Sequence, residues 1–129
     1  MYPKEYRYTE EHEWVHVADG VATIGITEHA QDQLGDVVYV ELPDVESQVE
    51  ASQSFGTVES VKAVSDIYAP VSGAVIQVNE LLVDKPEKIN SDPHGAAWLI
   101  KVRMSDPKQI ESLMTAEKYQ EYIAAETES

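Results

Sequence analysis

The chain contains no cysteine among its 129 residues. Disulfides, zinc–thiolate sites and cysteine nucleophiles are therefore excluded, and any sulfur or redox chemistry must come from an added group. Basic residues are also scarce: nine Lys and Arg stand against 24 Asp and Glu, for a formal net charge of −15. That field repels phosphate backbones and anionic lipid, so neither nucleic acid nor membrane is expected as a partner. It favours partners with basic docking surfaces, or simply keeps the chain soluble. No apolar run approaches the length of a transmembrane helix. The opening Met1-Tyr2-Pro3-Lys4-Glu5-Tyr6 has neither the apolar centre of a signal peptide nor the Arg-rich character of a transit sequence. A cytoplasmic bacterial protein is expected, or a mature form from the mitochondrial matrix. With 43% hydrophobic and 26% charged residues, the length suits one globular domain over residues 1–129.

What is present is mostly β-prone. Trp14 to Ala18 and Val21 to Ile26 flank Asp19-Gly20, which predicts a hairpin closed by a type I′ turn. Thr27 is placed to cap a short helix over 28–34, stopped by Gly35. Strands are predicted at 37–42, 48–50, 56–60, 63–68, 73–78 and 98–103, with 81–93 mostly loop. Ser105-Asp106-Pro107 signals a helix start with Ser105 as cap, and Ile110, Leu113 and Met114 then share a face. Thr115 caps a second helix carrying Tyr119, Tyr122 and Ile123, and the tail 126–129 is expected to fray. The fold class is thus mainly β, a small sandwich or barrel with a short internal helix and C-terminal helices over 105–126.

His12-Glu13-Trp14-Val15-His16 matches the H-E-x-x-H pattern of zinc peptidases. That chemistry needs a helix, on which i, i+4 spacing brings both imidazoles to one metal. Here Asp19-Gly20 follows at once and the β pattern continues. On a strand the two histidines would lie about 13 Å apart, too far for one ion. Trp14 is expected in the core, His12 and His16 at the surface or an edge, and no metal site is expected. Nucleophile elbows, P-loops and dinucleotide glycine motifs are absent.

One of the seven lysines sits between two short strands, in Glu59-Ser60-Val61-Lys62-Ala63. The turn chemistry at Val61-Lys62 is weak, and physics alone leaves Lys62 a solvated surface residue. This segment, followed by Ser65-Asp66 and Ala69-Pro70-Val71-Ser72-Gly73, resembles the lipoylation segment of the glycine cleavage system H-protein family. So do His12-Glu13-Trp14, Ile24-Gly25-Ile26-Thr27-Glu28-His29-Ala30-Gln31, Leu34-Gly35-Asp36, Glu41-Leu42-Pro43, Ile89-Asn90-Ser91-Asp92-Pro93 and Ala97-Trp98, in order along nearly the whole chain.

The resemblance implies a barrel-sandwich hybrid of the lipoyl- and biotinyl-carrier kind, non-catalytic, with lipoate covalently attached at Lys62. Glu59 and Gly73 match positions associated with recognition by the lipoate-attaching enzyme. A third such position is usually Gly but is Glu46 here, and a non-Gly residue there should not need positive φ. Glu13 and Asp66 match acidic residues near the cleft that holds the arm, and Ile26, Gln33 and Leu34 lie in the segment that lines it. The implied partners are a pyridoxal-phosphate glycine decarboxylase (P protein), a tetrahydrofolate-dependent aminomethyltransferase (T protein) and a flavin-dependent dihydrolipoyl dehydrogenase (L protein, with FAD). The chain would shuttle the aminomethyl group of glycine from the first to the second. Rival readings are a biotin carrier, although Lys62 lacks flanking methionines, and a 2-oxo-acid dehydrogenase lipoyl domain, although Asp84-Lys85 runs into Pro86. A divergent relative that relays lipoyl groups, and the zinc peptidase, are the others.

Overall fold

The computed structural model describes residues 2–128, with side chains described through Glu126. A six-stranded antiparallel sheet runs in the order β1 (Arg7–Tyr8), β2 (Glu13–Ala18), β3 (Val21–Ile26), β9 (Ile100–Met104), β8 (Gly73–Val78), β5 (Gln48–Val49). A three-stranded sheet holds β4 (Val37–Glu41), β6 (Ser54–Ser60) and β7 (Val64–Tyr68) in that order. Period-two alternation turns Ala22, Ile24 and Ile26 of β3 inward. They meet Val40, Val58 and Ile67 of the smaller sheet in one core. Each of the Ile and Val side chains contributes about 1.5–3 kcal/mol on burial, so the two sheets are held by apolar contact rather than by a shared ladder.

The β2–β3 turn has Asp19 at φ 52° and Gly20 at φ 78°, the left-handed pair a type I′ turn requires. Thr27 caps α1 (Glu28–Leu34), its Oγ1 accepting from Ala30 N–H at 3.2 Å. Gly35 ends the helix at φ 81°, ψ −157°, donating its N–H to Gln31 O.

The structure corrects several expectations. The segment 81–93 is not mostly loop: α2 (Leu81–Asp84) and α3 (Lys88–Ser91) are single turns anchored by the fully buried Leu82 and Ile89. Two inward apolar side chains hold what polar spacers and two prolines concealed. Asp106, not Ser105, caps the next element by accepting from Lys108 N–H at 3.2 Å. That element is a 3₁₀ helix, Pro107–Ser112, so Leu113 and Met114 fall beyond it. Met114 instead bridges Tyr8 through two backbone hydrogen bonds of 2.9 Å, on the free side of β1, a short strand paired to β2 that the sequence had not revealed. The last strand starts at Ile100 rather than Trp98. Helix α4 (Ala116–Glu128) runs through most of the tail expected to fray, while Ser129 lies outside the described residues. It docks by Tyr119, stacked on Tyr8 at 4.8 Å, in a second cluster with the buried Trp14.

Glu46 also departs from expectation: it sits at φ 80°. Its N–H donates to Val75 O at 2.7 Å, so a backbone bond between the 44–47 turn and β8 imposes the left-handed geometry. A Cβ makes that geometry costly, and glycine removes the cost while adding chain entropy to the unfolded state. Glu46→Gly is therefore expected to raise stability by about 0.5–1 kcal/mol. Urea denaturation checks this; a lower midpoint at unchanged slope would contradict it.

Candidate functional site

Strands β6 and β7 meet in a tight turn at Ser60-Val61-Lys62-Ala63. Neither Val61 nor Lys62 has positive φ, which is why Gly, Asn and Asp are not needed. Ser60 supplies the turn chemistry instead. Its backbone N–H donates to Ala63 O at 2.7 Å, and its buried Oγ accepts from the N–H groups of Lys62 and Ala63, each at 3.1 Å. Val61 N–H donates to Asp36 O at 3.0 Å, tying the tip to the chain just beyond α1. The side chain of Lys62 is exposed and lies over Gly35, where a Cβ would stand 3.1 Å from Lys62 Cε. A cation at the carboxyl end of α1 is favourably placed against its outward carbonyls. The sequence did not single out Ser60 or Gly35 as parts of this site; a serine two residues before the tip lysine was the available signal for the first.

Beside the tip, α1 and β7 border a cleft of about 150 Å³. Glu13, Ile26, Gln33, Leu34 and Asp66, singled out separately in the sequence, all line it, with Ala30, Val58 and Ile67. Asp66 and Gln33 are exposed, whereas Ile26 is buried. Glu13 is 2% exposed, the only carboxylate buried to that degree among the described residues. Thr9 Oγ1 donates to its Oε1 at 2.6 Å and Tyr68 N–H to its Oε2 at 3.1 Å. Burial nevertheless dominates and pushes its carboxyl up to about 7. The same side chain also borders a larger cavity of about 710 Å³ on the Tyr8–Met114 side. That cavity does not include the hairpin tip.

Glu59 is exposed on β6 two registers from the tip, paired with Tyr39 and Val64. Gly73 lies in the other sheet, at the start of β8. A Cβ there would stand 2.7 Å from Val102 Cγ1 and closer still to the carbonyl oxygen of Arg103. The H-E-x-x-H pair is not assembled: residues 13–18 are strand, and His12 precedes it at φ 70° rather than sharing a strand face with His16. His12 is half-buried, its Nδ1 2.8 Å from Tyr119 Oη, while His16 packs beside the Tyr6 ring at 5.2 Å.

A mainly β two-sheet fold that presents one lysine on a preformed turn, next to a small cleft, is the arrangement of a carrier protein. Comparison with known proteins fixes which. Residues 6–126 match the family described as glycine cleavage H-protein. The glycine cleavage system H protein of Staphylococcus carnosus is 53% identical over 121 residues, covering 94% of this chain and 96% of its own. That of Staphylococcus epidermidis is 50% identical with the same coverage. A crystal structure of a glycine cleavage system H protein from Mycobacterium marinum superposes with a TM-score of 0.88 at 41% identity, over 95% of this chain and 98% of that one. The chain belongs to the glycine cleavage H-protein family, the lipoyl-carrying shuttle of that system, and is a carrier component rather than a catalyst.

Proposed function

We propose that Lys62 is the lipoyl attachment point and that the cleft beside it receives the loaded arm. The observation that carries this reading is the tip itself: an exposed lysine on a turn whose backbone is held by Ser60 and Asp36, its stem lying over Gly35 at the end of the helix that borders the cleft. A lipoyl group there supplies a disulfide sulfur that accepts the aminomethyl group of glycine. Lysine suits the attachment because its amine forms an amide and its four-carbon stem is flexible. Ile26 and Leu34 give the cleft an apolar wall that limits water. The carboxylates of Glu13 and Asp66 pair there with an ammonium carried by the arm, a charge-assisted contact that is strongest in the buried position of Glu13. Glu59 and Gly73 serve recognition by the lipoate-attaching enzyme. The partners are the glycine decarboxylase, the aminomethyltransferase and dihydrolipoyl dehydrogenase, met by residues 1–129 as one carrier domain. The relatives are bacterial, and among the described residues no helix is long and apolar enough to cross a membrane; a cytoplasmic setting goes with this reading.

Intact mass spectrometry tests it. Incubated with lipoate, ATP and a lipoate ligase, the wild-type chain is expected to gain one lipoyl mass and Lys62→Arg none. Only the wild type should then support glycine-dependent aminomethyl transfer with purified partners. Addition to Lys62→Arg would place the attachment elsewhere.

A further inference from the structure

His12, which borders the arm cleft, and His29 of α1 meet Glu126 of α4 at the rim of the second cluster. The side-chain ligand atoms of the three all lie within 4.8 Å of one another. His12 Nε2 and Glu126 Oε2 are 3.3 Å apart. Two ligands bound at about 2.0–2.1 Å in a tetrahedral site are separated by about 3.3 Å, so this pair already has the spacing of a zinc-binding edge. His29 approaches from α1, its ring centroid 4.7 Å from that of His12. Its Nε2 is buried without a hydrogen-bond partner, a state that costs about 1–3 kcal/mol unless something engages the nitrogen. Bringing atoms that lie within 4.8 Å to a tetrahedral edge of about 3.3 Å needs a shift of up to about 1.5 Å in His29 or Glu126, both on helices.

Outer hydrogen bonds are in place as well. His12 Nδ1 lies 2.8 Å from Tyr119 Oη, which lies 2.7 Å from Thr27 Oγ1. In the tautomer in which His12 Nδ1–H donates to Tyr119 and Tyr119 to Thr27, the lone pair of His12 Nε2 faces the Glu126 carboxylate at 3.3 Å, and a cation there replaces the proton that otherwise bridges this ion pair. A neighbour that fixes the tautomer in this way is the usual support of a metal-ligating histidine. The overall charge of −15 adds a field that concentrates cations at the surface.

We infer that His12, His29 and Glu126 form a binding site for a divalent transition ion of the zinc class, with water completing the tetrahedron. Imidazole and carboxylate donors select that class over magnesium or calcium, which take oxygen ligands. The ion joins the residue before β2, helix α1 and helix α4, so it fastens the C-terminal helix to the sandwich. This departs from the peptidase pattern, since His16 takes no part. Equilibrium dialysis with zinc chloride on the full chain tests it, using wild type, His29→Ala, Glu126→Ala and His16→Ala. One ion per chain is expected for wild type and His16→Ala, with affinity weakened about 10-fold or more in the other two. The wild-type melting temperature should also rise with zinc, and the rise should vanish in His29→Ala. Absence of saturable uptake by the wild type, or equal affinity in all four proteins, would overturn the assignment. None of these readouts depends on lipoylation, so failure here leaves the role of Lys62 untouched.

Discussion

Gly73→Ala is expected to destabilise the protein by about 3 kcal/mol or more, lowering the melting temperature by about 10 °C. The new methyl group would meet Val102 Cγ1 and the carbonyl oxygen of Arg103 across the β8–β9 pairing. A flexible side chain could move aside, but the backbone of β9 cannot without separating from β8 or β3, both of which it pairs. Against a total of about 5–15 kcal/mol for an ordinary domain, that loss is large. Thermal unfolding followed by circular dichroism measures it, and a shift within about 2 °C would show that the strands give way easily. The same variant separates two roles for this glycine. Kept folded at low temperature, it should be lipoylated at the wild-type rate if Gly73 serves only the sheet. Slow lipoylation of the folded variant would assign it to recognition as well.

Glu13→Gln is expected to be more stable than the wild type above pH 7, by up to about 3 kcal/mol. Burial raises the Glu13 carboxyl from 4.5 to about 7. Below pH 4.5 both native and unfolded chains hold the proton, and the group adds no pH dependence. Between 4.5 and 7 the unfolded chain has released it while the native state keeps it, so native stability falls as pH rises. Above 7 both are ionised and the loss is complete. Glutamine copies the protonated acid: its oxygen accepts from Tyr68 N–H and its amide donates to Thr9 Oγ1, the two partners the carboxyl already has. Denaturant midpoints from pH 4 to 8 should therefore slope downward for the wild type and more shallowly for the variant. A variant weaker than wild type at pH 8 would mean that the ionised carboxylate is the better-solvated form. The expected gain has a functional counterpart, because a carboxylate kept in a buried cleft at a stability cost is suited to meeting an ammonium there.

Features set by local backbone chemistry were legible in the sequence. Asp19-Gly20, Thr27 and Gly35 each announce one conformation, and the chain adopts it. The five cleft residues could be named because they sit in recognisable segments, yet only the fold shows that β2, α1 and β7 converge on one cavity. What stayed hidden depends on distant partners. Leu82 and Ile89 make helical turns out of a loop-like stretch by filling the core, β1 is two residues paired to β2 and bridged on its other side to Met114, and Glu46 is left-handed with its N–H held by Val75. His12, expected at the surface or an edge, is half-buried for the same reason: its neighbours in space, Tyr119 and Glu126, are remote in sequence.

The Ser60 turn has a consequence for what the tip can tolerate. Because Ser60 Oγ and the Asp36 carbonyl hold the backbone, the turn does not depend on the side chains of Val61 and Lys62, both of them outside the core. The hairpin is in that sense a mounting whose cargo is interchangeable. Other acyl groups, or a spectroscopic label at a substituted residue 62, can be fitted there while the two sheets keep their shape.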